Sequence, residues 1–162
     1  MIRLLLVSDT HGYLGYLEKI LQKVGPVDQI LHMGDVCGQQ EDIRRMVSCP
    51  VTFVRGNCDG RESQDPVDRV LDLEGHRILM THGHTHGVNW DHSGLSMDAK
   101  ACGADLAIYG HTHVPCVKYE EGLMIINPGS ASLPRQSGFR KSFAILELKE
   151  GQFPCYCSIG YL

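Results

Sequence analysis

A chain of 162 residues, 43% hydrophobic and 21% charged, has an ordinary globular composition. Its length is enough to bury about 70% of the unfolded surface in one core. A net charge of −4 argues against the basic face of a dedicated nucleic-acid binder, and seven cysteines, an odd and scattered set, fit a reducing cytoplasm better than a disulfide framework.

Residues 2–7, IRLLLV, form a continuous apolar run of strand length. The run predicts a strand covered on both faces and is too short for a signal segment or a membrane span. Residues 13–24 place Leu14, Leu17, Leu21 and Val24 at helical steps, with Gly25-Pro26 as the stop. QILHM (29–33), QQEDIRRMV (39–47) and VTFVRG (51–56) predict strand, helix and strand, hence a parallel sheet with right-handed crossovers.

Further on, residues 69–83 and 115–129 predict hairpins turning at Glu74-Gly75 and Glu121-Gly122. Between them lie an expected helix, 93–103, with Ser93 as N-cap, and a strand, ADLAIYG (104–110). Residues 142–159 alternate like a closing strand pair, in which Cys155 and Cys157 are small packing residues. His32 is expected to be a satisfied core histidine, and His76, in a hairpin turn, a solvated one. These elements predict an α/β fold of two packed sheets flanked by helices.

Metal-chelating side chains recur just past strand ends: Asp9-x-His11, Gly34-Asp35, Gly56-Asn57-Cys58-Asp59, His82-Gly83-His84 and Gly110-His111-Thr112-His113. Ligands of open α/β sheets bind beyond the carboxyl ends of strands, so five such loops predict one site. In extended backbone, residues i and i+2 share a face, which would let Asp9/His11 and His111/His113 each present two side chains together. The preceding glycines are expected to let the chain turn sharply. Carboxylate, imidazole and amide donors suit Mn²⁺, Fe²⁺, Zn²⁺, Ni²⁺ or Mg²⁺ and not a thiolate zinc site.

In this order DTHG, GD, GNCD, HGH and GHTHVP, with NPGSASLPR later, resemble the motifs of the calcineurin-like metallophosphoesterases, and most closely their small cap-less bacterial and archaeal phosphodiesterases. The resemblance implies a four-layer α/β/β/α sandwich spanning residues 1–162 as one domain, and two divalent ions, Mn²⁺ foremost. One ion would be held by Asp9, His11, Asp35 and His113. The second would be held by Asp35, Asn57, His82 and His111, with Asp35 as the bridge. Two ions sharing a water would lower its pKa from ~15.7 towards neutrality, and the hydroxide would attack a small phosphodiester in line.

Many relatives carry histidine where this chain has Cys58, and that histidine protonates the leaving group. A thiol with pKa near ~8.5 is poorly suited to the task, which then falls to Asp59, His84 or water. The expected activity is therefore a cytoplasmic phosphodiesterase, with no membrane partner; the family leaves a homo-oligomer open. The alternatives are a non-catalytic scaffold of the same fold, like the retromer subunit, and a phosphomonoesterase or nucleotide-directed hydrolase.

Overall fold

The computed structural model describes all 162 residues. In chain order the elements are β1 (Ile2–Val7), α1 (Leu14–Val24), β2 (Gln29–His32), α2 (Gln40–Met46), β3 (Val51–Phe53), β4 (Asp68–Leu73), β5 (His76–Thr81), α3 (Ser93–Ala101), β6 (Leu106–Ile108), β7 (Cys116–Glu120), β8 (Leu123–Asn127), β9 (Ser142–Leu148) and β10 (Tyr156–Tyr161). The first sheet runs β10-β9-β1-β2-β3 and the second β4-β5-β6-β8-β7. As the apolar runs predict, β1, β2 and β3 are parallel, with Leu5 opposite Ile30 and Ile30 opposite Val51. β9 joins β1 antiparallel on its other side.

Alternation along these strands builds the layers. Leu4, Leu6, Leu31 and Met33 of the first sheet meet Ile78, Met80, Leu106 and Ile126 of the second in the central core. Leu5, Val7, Ile30 and Phe53 face the other way, onto Leu17 and Ile20 of α1 and Ile43 of α2. Leu79, Ala107 and Ile125 pack on Leu95 and Ala99 of α3. Each buried leucine or isoleucine contributes roughly 1.5–3 kcal/mol of transfer free energy. The result is the expected α/β/β/α sandwich.

Both hairpins turn where expected. Glu74 and Gly75 have φ of 49° and 77°, Glu121 and Gly122 φ of 49° and 79°, the left-handed pair of a two-residue turn matched to strand twist. Three details differ from expectation. β6 is only three residues long, starting after Asp105 and ending at Ile108; Tyr109 still donates its N–H to the Ile126 carbonyl of β8 (2.9 Å) before the chain enters the loop carrying His111. Ser93 is the first helical residue of α3, not its cap; Asp91 Oδ1 accepts both its N–H (2.8 Å) and its Oγ–H (2.6 Å). His76 is buried, its hairpin packing against the β9–β10 connection. Its Nδ1 lies 2.7 Å from Asp105 Oδ2 and its Nε2 3.0 Å from the Lys149 carbonyl. His32 is buried as expected, satisfied by the Thr10 hydroxyl (3.0 Å) and the Gly34 N–H (3.2 Å).

Candidate metal centre

The loops after β1, β2, β3, β5 and β6 meet at one rim, stitched by main-chain bonds. Asp9 N–H donates to Gly34 O, His11 N–H to Asp35 O and Gly110 N–H to His82 O, each at 3.0 Å. Two glycines are required by space and not by turning: a Cβ on Gly56 would fall on Asp35 Oδ1, and one on Gly110 would fall on Ser8 Oγ. Gly34, with φ of 96°, is the one that takes the left-handed conformation.

Asp9, His11, Asp35, Asn57, His82, His111 and His113 all converge there. His113 Nε2 is 3.1 Å from Asp9 Oδ1, and His11 Nε2 is 3.6 Å from Asp9 Oδ1 and 3.5 Å from Asp35 Oδ2. His82 Nε2 is 3.3 Å from Asp35 Oδ2 and 3.0 Å from Asn57 Oδ1, which lies 3.0 Å from His111 Nδ1. Asp35 thus faces both groups of donors with one oxygen, while its Oδ1 accepts the Cys58 N–H at 2.8 Å.

The local backbone is not the extended one expected from the i, i+2 spacing. Asp9, His11, Asp35, His111 and His113 have φ of 54°, 46°, 56°, 66° and 59°, five of the nine non-glycine residues in the left-handed region. Such residues cost free energy and persist where surrounding contacts over-determine them. Here the contacts are identifiable. Ser130 Oγ and Ser132 Oγ both donate to the Asp9 carbonyl at 2.9 Å, Ser8 Oγ–H donates to Asp9 Oδ2 at 2.5 Å, and His111 N–H donates to Asp9 Oδ2 at 3.1 Å.

Burial would push the Asp9 carboxyl up, but the imidazoles of His11 and His113 and the charge of His82 hold it below the usual carboxylate range. Burial opposes ionisation of Asp35 too, and His82 and the Cys58 N–H outweigh it. His11 is raised, first by Asp9. His82 is also raised, its burial overcome by Asp35 and Asp9. His84 and His111 are lowered by burial and by neighbouring His82.

These residues fit divalent cations. Asp9 Oδ1 is buried and has no hydrogen-bond partner despite three imidazoles within 4 Å. His82 and His113 hold their Nδ1 2.6 Å from the carbonyls of Met33 and Leu133, so Nδ1–H donates outward and the Nε2 lone pair faces in. Neighbouring donors 3.0–3.6 Å apart are close to the roughly 3 Å edges of an octahedron with bonds of about 2.1 Å.

The remaining expected residues separate. Asp59 Oδ1 accepts the N–H groups of Val36 and Cys37, each at 2.8 Å, and Oδ2 those of Asp35 (2.9 Å) and Gly56 (2.7 Å). Four donors on one carboxylate correct the expectation that it supplies a proton: Asp59 is an acceptor that clamps two site loops. Cys58 is exposed beside His11 and Asp35, its thiol pushed up to about 11 by burial and the Asp35 carboxylate. His84 lies tilted beside the other two rings, its centroid 5.3 Å from that of His82 and 6.2 Å from that of His111, and its buried Nδ1 has no partner. His86 turns away and pairs with Asp98 at 2.9 Å. Sequence inspection missed Ser8, the chain neighbour of Asp9, and Ser132 and Asn89, which support the donors across long sequence separations and carry no local signature; NPGS (127–130), whose Ser130 also reaches Asp9, reads foremost as a structural turn and less readily as part of the rim.

Residues 2–151 match the family model for the calcineurin-like phosphoesterase superfamily domain. The chain is 35% identical over 150 residues to the probable metallophosphoesterase YsnB of Bacillus subtilis, covering 91% of this chain and 85% of that one. It is 29% identical to phosphodiesterase YfcE of Escherichia coli, covering 91% and 88%. Its fold is similar to that of Vps29 from Entamoeba histolytica, with a TM-score of 0.79 at 22% identity over 99% of both chains. The ordered motifs, the four-layer sandwich and the convergent donors agree with these likenesses, and the chain belongs to the calcineurin-like phosphoesterase superfamily.

Proposed function

We propose that this protein is a phosphodiesterase dependent on two divalent cations, Mn²⁺ foremost, acting on small phosphodiesters in the cytoplasm. The observation that carries this reading is Asp35 Oδ2, placed 3.5 Å from His11 Nε2 and 3.3 Å from His82 Nε2, between two complete donor groups. Asp9, His11, Asp35 and His113 would hold one cation, and Asp35, Asn57, His82 and His111 the other. When bound, such cations supply charge neutralisation at phosphorus and acidify a water for attack.

The protein's own part is positioning. Asp59 and the Cys58 N–H hold Asp35; Ser8 and the His111 N–H hold Asp9 Oδ2; the Met33 and Leu133 carbonyls hold two imidazoles in one tautomer. His84 is lowered and therefore neutral at neutral pH, so it offers the substrate a hydrogen bond and not a charge. Cys58 stays protonated and is too weak an acid to serve the leaving group, and a neutral His84 can lend it only a hydrogen bond, which favours acidic leaving groups or protonation by water. The diester preference is supported by the likeness to a relative named a phosphodiesterase. The seven unpaired cysteines support the cytoplasm, and no helix is long and apolar enough to cross a membrane.

The test is a metal-stripped preparation assayed on an aryl phosphodiester and the matching monoester, with Mn²⁺, Mg²⁺, Zn²⁺ and Ni²⁺ restored separately. Diester turnover restored by Mn²⁺ is the expected result. Turnover of the monoester alone overturns the diester preference, and no turnover with any metal revives the non-catalytic scaffold of the same fold.

A further inference from the structure

His111 is oriented in the opposite sense to its neighbours. His82 and His113 point Nδ1 at main-chain carbonyls and turn Nε2 inward. His111 turns Nδ1 inward, 3.0 Å from Asn57 Oδ1, and its Nε2 meets the side-chain amide of Asn89 at 3.1 Å. Asn89 belongs to the loop after β5. That loop is folded by main-chain bonds from His86 to Gly83 and from Trp90 to Gly87, both 3.0 Å, and tied to α3 by the His86–Asp98 pair. The tautomer of His111 therefore depends on a side chain, not on the main chain. It is also a side chain able both to donate and to accept.

With the Asn89 amide in this orientation, its Nδ2–H can donate only to an unprotonated His111 Nε2, which in a neutral ring puts the proton on Nδ1, facing Asn57 Oδ1. The bonds are mutually consistent, but the proton sits on the nitrogen that faces the site. A cation held by Asn57 Oδ1 and His111 Nδ1 requires the other neutral tautomer. The proton leaves Nδ1 for solvent, solvent returns one to Nε2, and the ring stays uncharged. Nε2–H then needs an acceptor, which a half-turn of the Asn89 amide supplies through Oδ1. An amide serves both states, a carboxylate serves the loaded one, and an aliphatic side chain serves neither.

We propose that Asn89 is a positioning residue that selects the metal-binding tautomer of His111 and so sets the affinity of the cation shared with Asn57. This rests on the two-cation reading above. The experiment is calorimetric titration of Mn²⁺ into the metal-stripped full chain, as wild type, Asn89→Leu, Asn89→Asp and His111→Ala, with denaturant unfolding as a check on folding. Two binding steps are expected for the wild type. Asn89→Leu should weaken, by about 10-fold or more, the same step that His111→Ala removes. Asn89→Asp should bind that ion at least as tightly as wild type. Wild-type affinity in Asn89→Leu, or Asn89→Asp as weak as Asn89→Leu, overturns the inference and leaves the two-cation reading standing. A wild type that binds no Mn²⁺ overturns both.

Discussion

The carboxylate of Asp59 accepts the backbone N–H of Asp35 at 2.9 Å, while its other oxygen takes the next two N–H groups along, those of Val36 and Cys37. One buried side chain thereby holds the left-handed turn that aims Asp35 between His11 and His82. Every contact it makes is to a donor, so only an acceptor with two equivalent oxygens fits.

Asp59→Asn should therefore not be a mild change. Its amide nitrogen would face at least one pair of N–H groups, leaving buried donors unsatisfied at about 1–3 kcal/mol each. A loss of roughly 3 kcal/mol in urea unfolding is expected, with activity lost only to the extent that the loop moves. Stability at the wild-type level would remove the clamp role.

Asp35→Ala should behave differently. On the proposed reading it opens both cation sites together, so turnover of an aryl phosphodiester should fall by at least ~10³-fold, in line with loss of the groups that organise charge at the reacting centre. Folding should survive, since the loop is held by main-chain bonds and Asp59. The check is circular dichroism together with metal content; a variant that retains two ions per chain would sink the bridging role.

His76 supplies a pH dependence far from the site. Its burial opposes protonation, but Asp105 and the Lys149 carbonyl outweigh this and raise its pKa above that of an exposed histidine. A raised folded-state value means the folded protein holds the proton more tightly than the unfolded chain. The extra stability is complete below the unfolded pKa near ~6.5 and is lost as pH rises through the folded value. Urea midpoints of wild type and His76→Gln, compared from acid to alkaline pH, should diverge most in acid and converge in base. Divergence that grows with pH would contradict the Asp105 pairing.

Cys58 offers a chemical test in the metal-stripped protein. Although exposed, its thiol is pushed up to about 11, so the nucleophilic thiolate is scarce at neutral pH. Iodoacetamide at pH 7.5 should label it more slowly than an unstructured cysteine peptide, as followed by mass spectrometry. Labelling faster than the peptide would mean an activated thiol and would reopen Cys58 as a reacting group.

Much of the architecture was legible in the order of residues because periodicity reports burial directly. IRLLLV alternates between two buried faces, Leu14, Leu17, Leu21 and Val24 lie on one helix stripe, and Glu-Gly pairs mark both hairpin turns. The placement of Asp, Asn and His after strand ends was equally readable, since parallel strands bring those ends to one rim. The extended backbone expected at the i, i+2 pairs is not what brings their side chains together. Asp9, His11, His111 and His113 converge through left-handed turns, which local spacing does not encode.

Tertiary contact alone assigns the rest. Asp59 becomes a loop clamp, His76 a buried partner of Asp105, and Asn89 the neighbour of His111 because each meets groups 20 or more residues away. Ser130 and Ser132 reach Asp9 across separations of 121 and 123 residues. Composition and periodicity choose which side chains are inside and which strand ends carry donors. Ring orientation, tautomer and the job of each carboxylate depend on hydrogen-bond partners that only the packed sandwich brings within 3 Å or so of them.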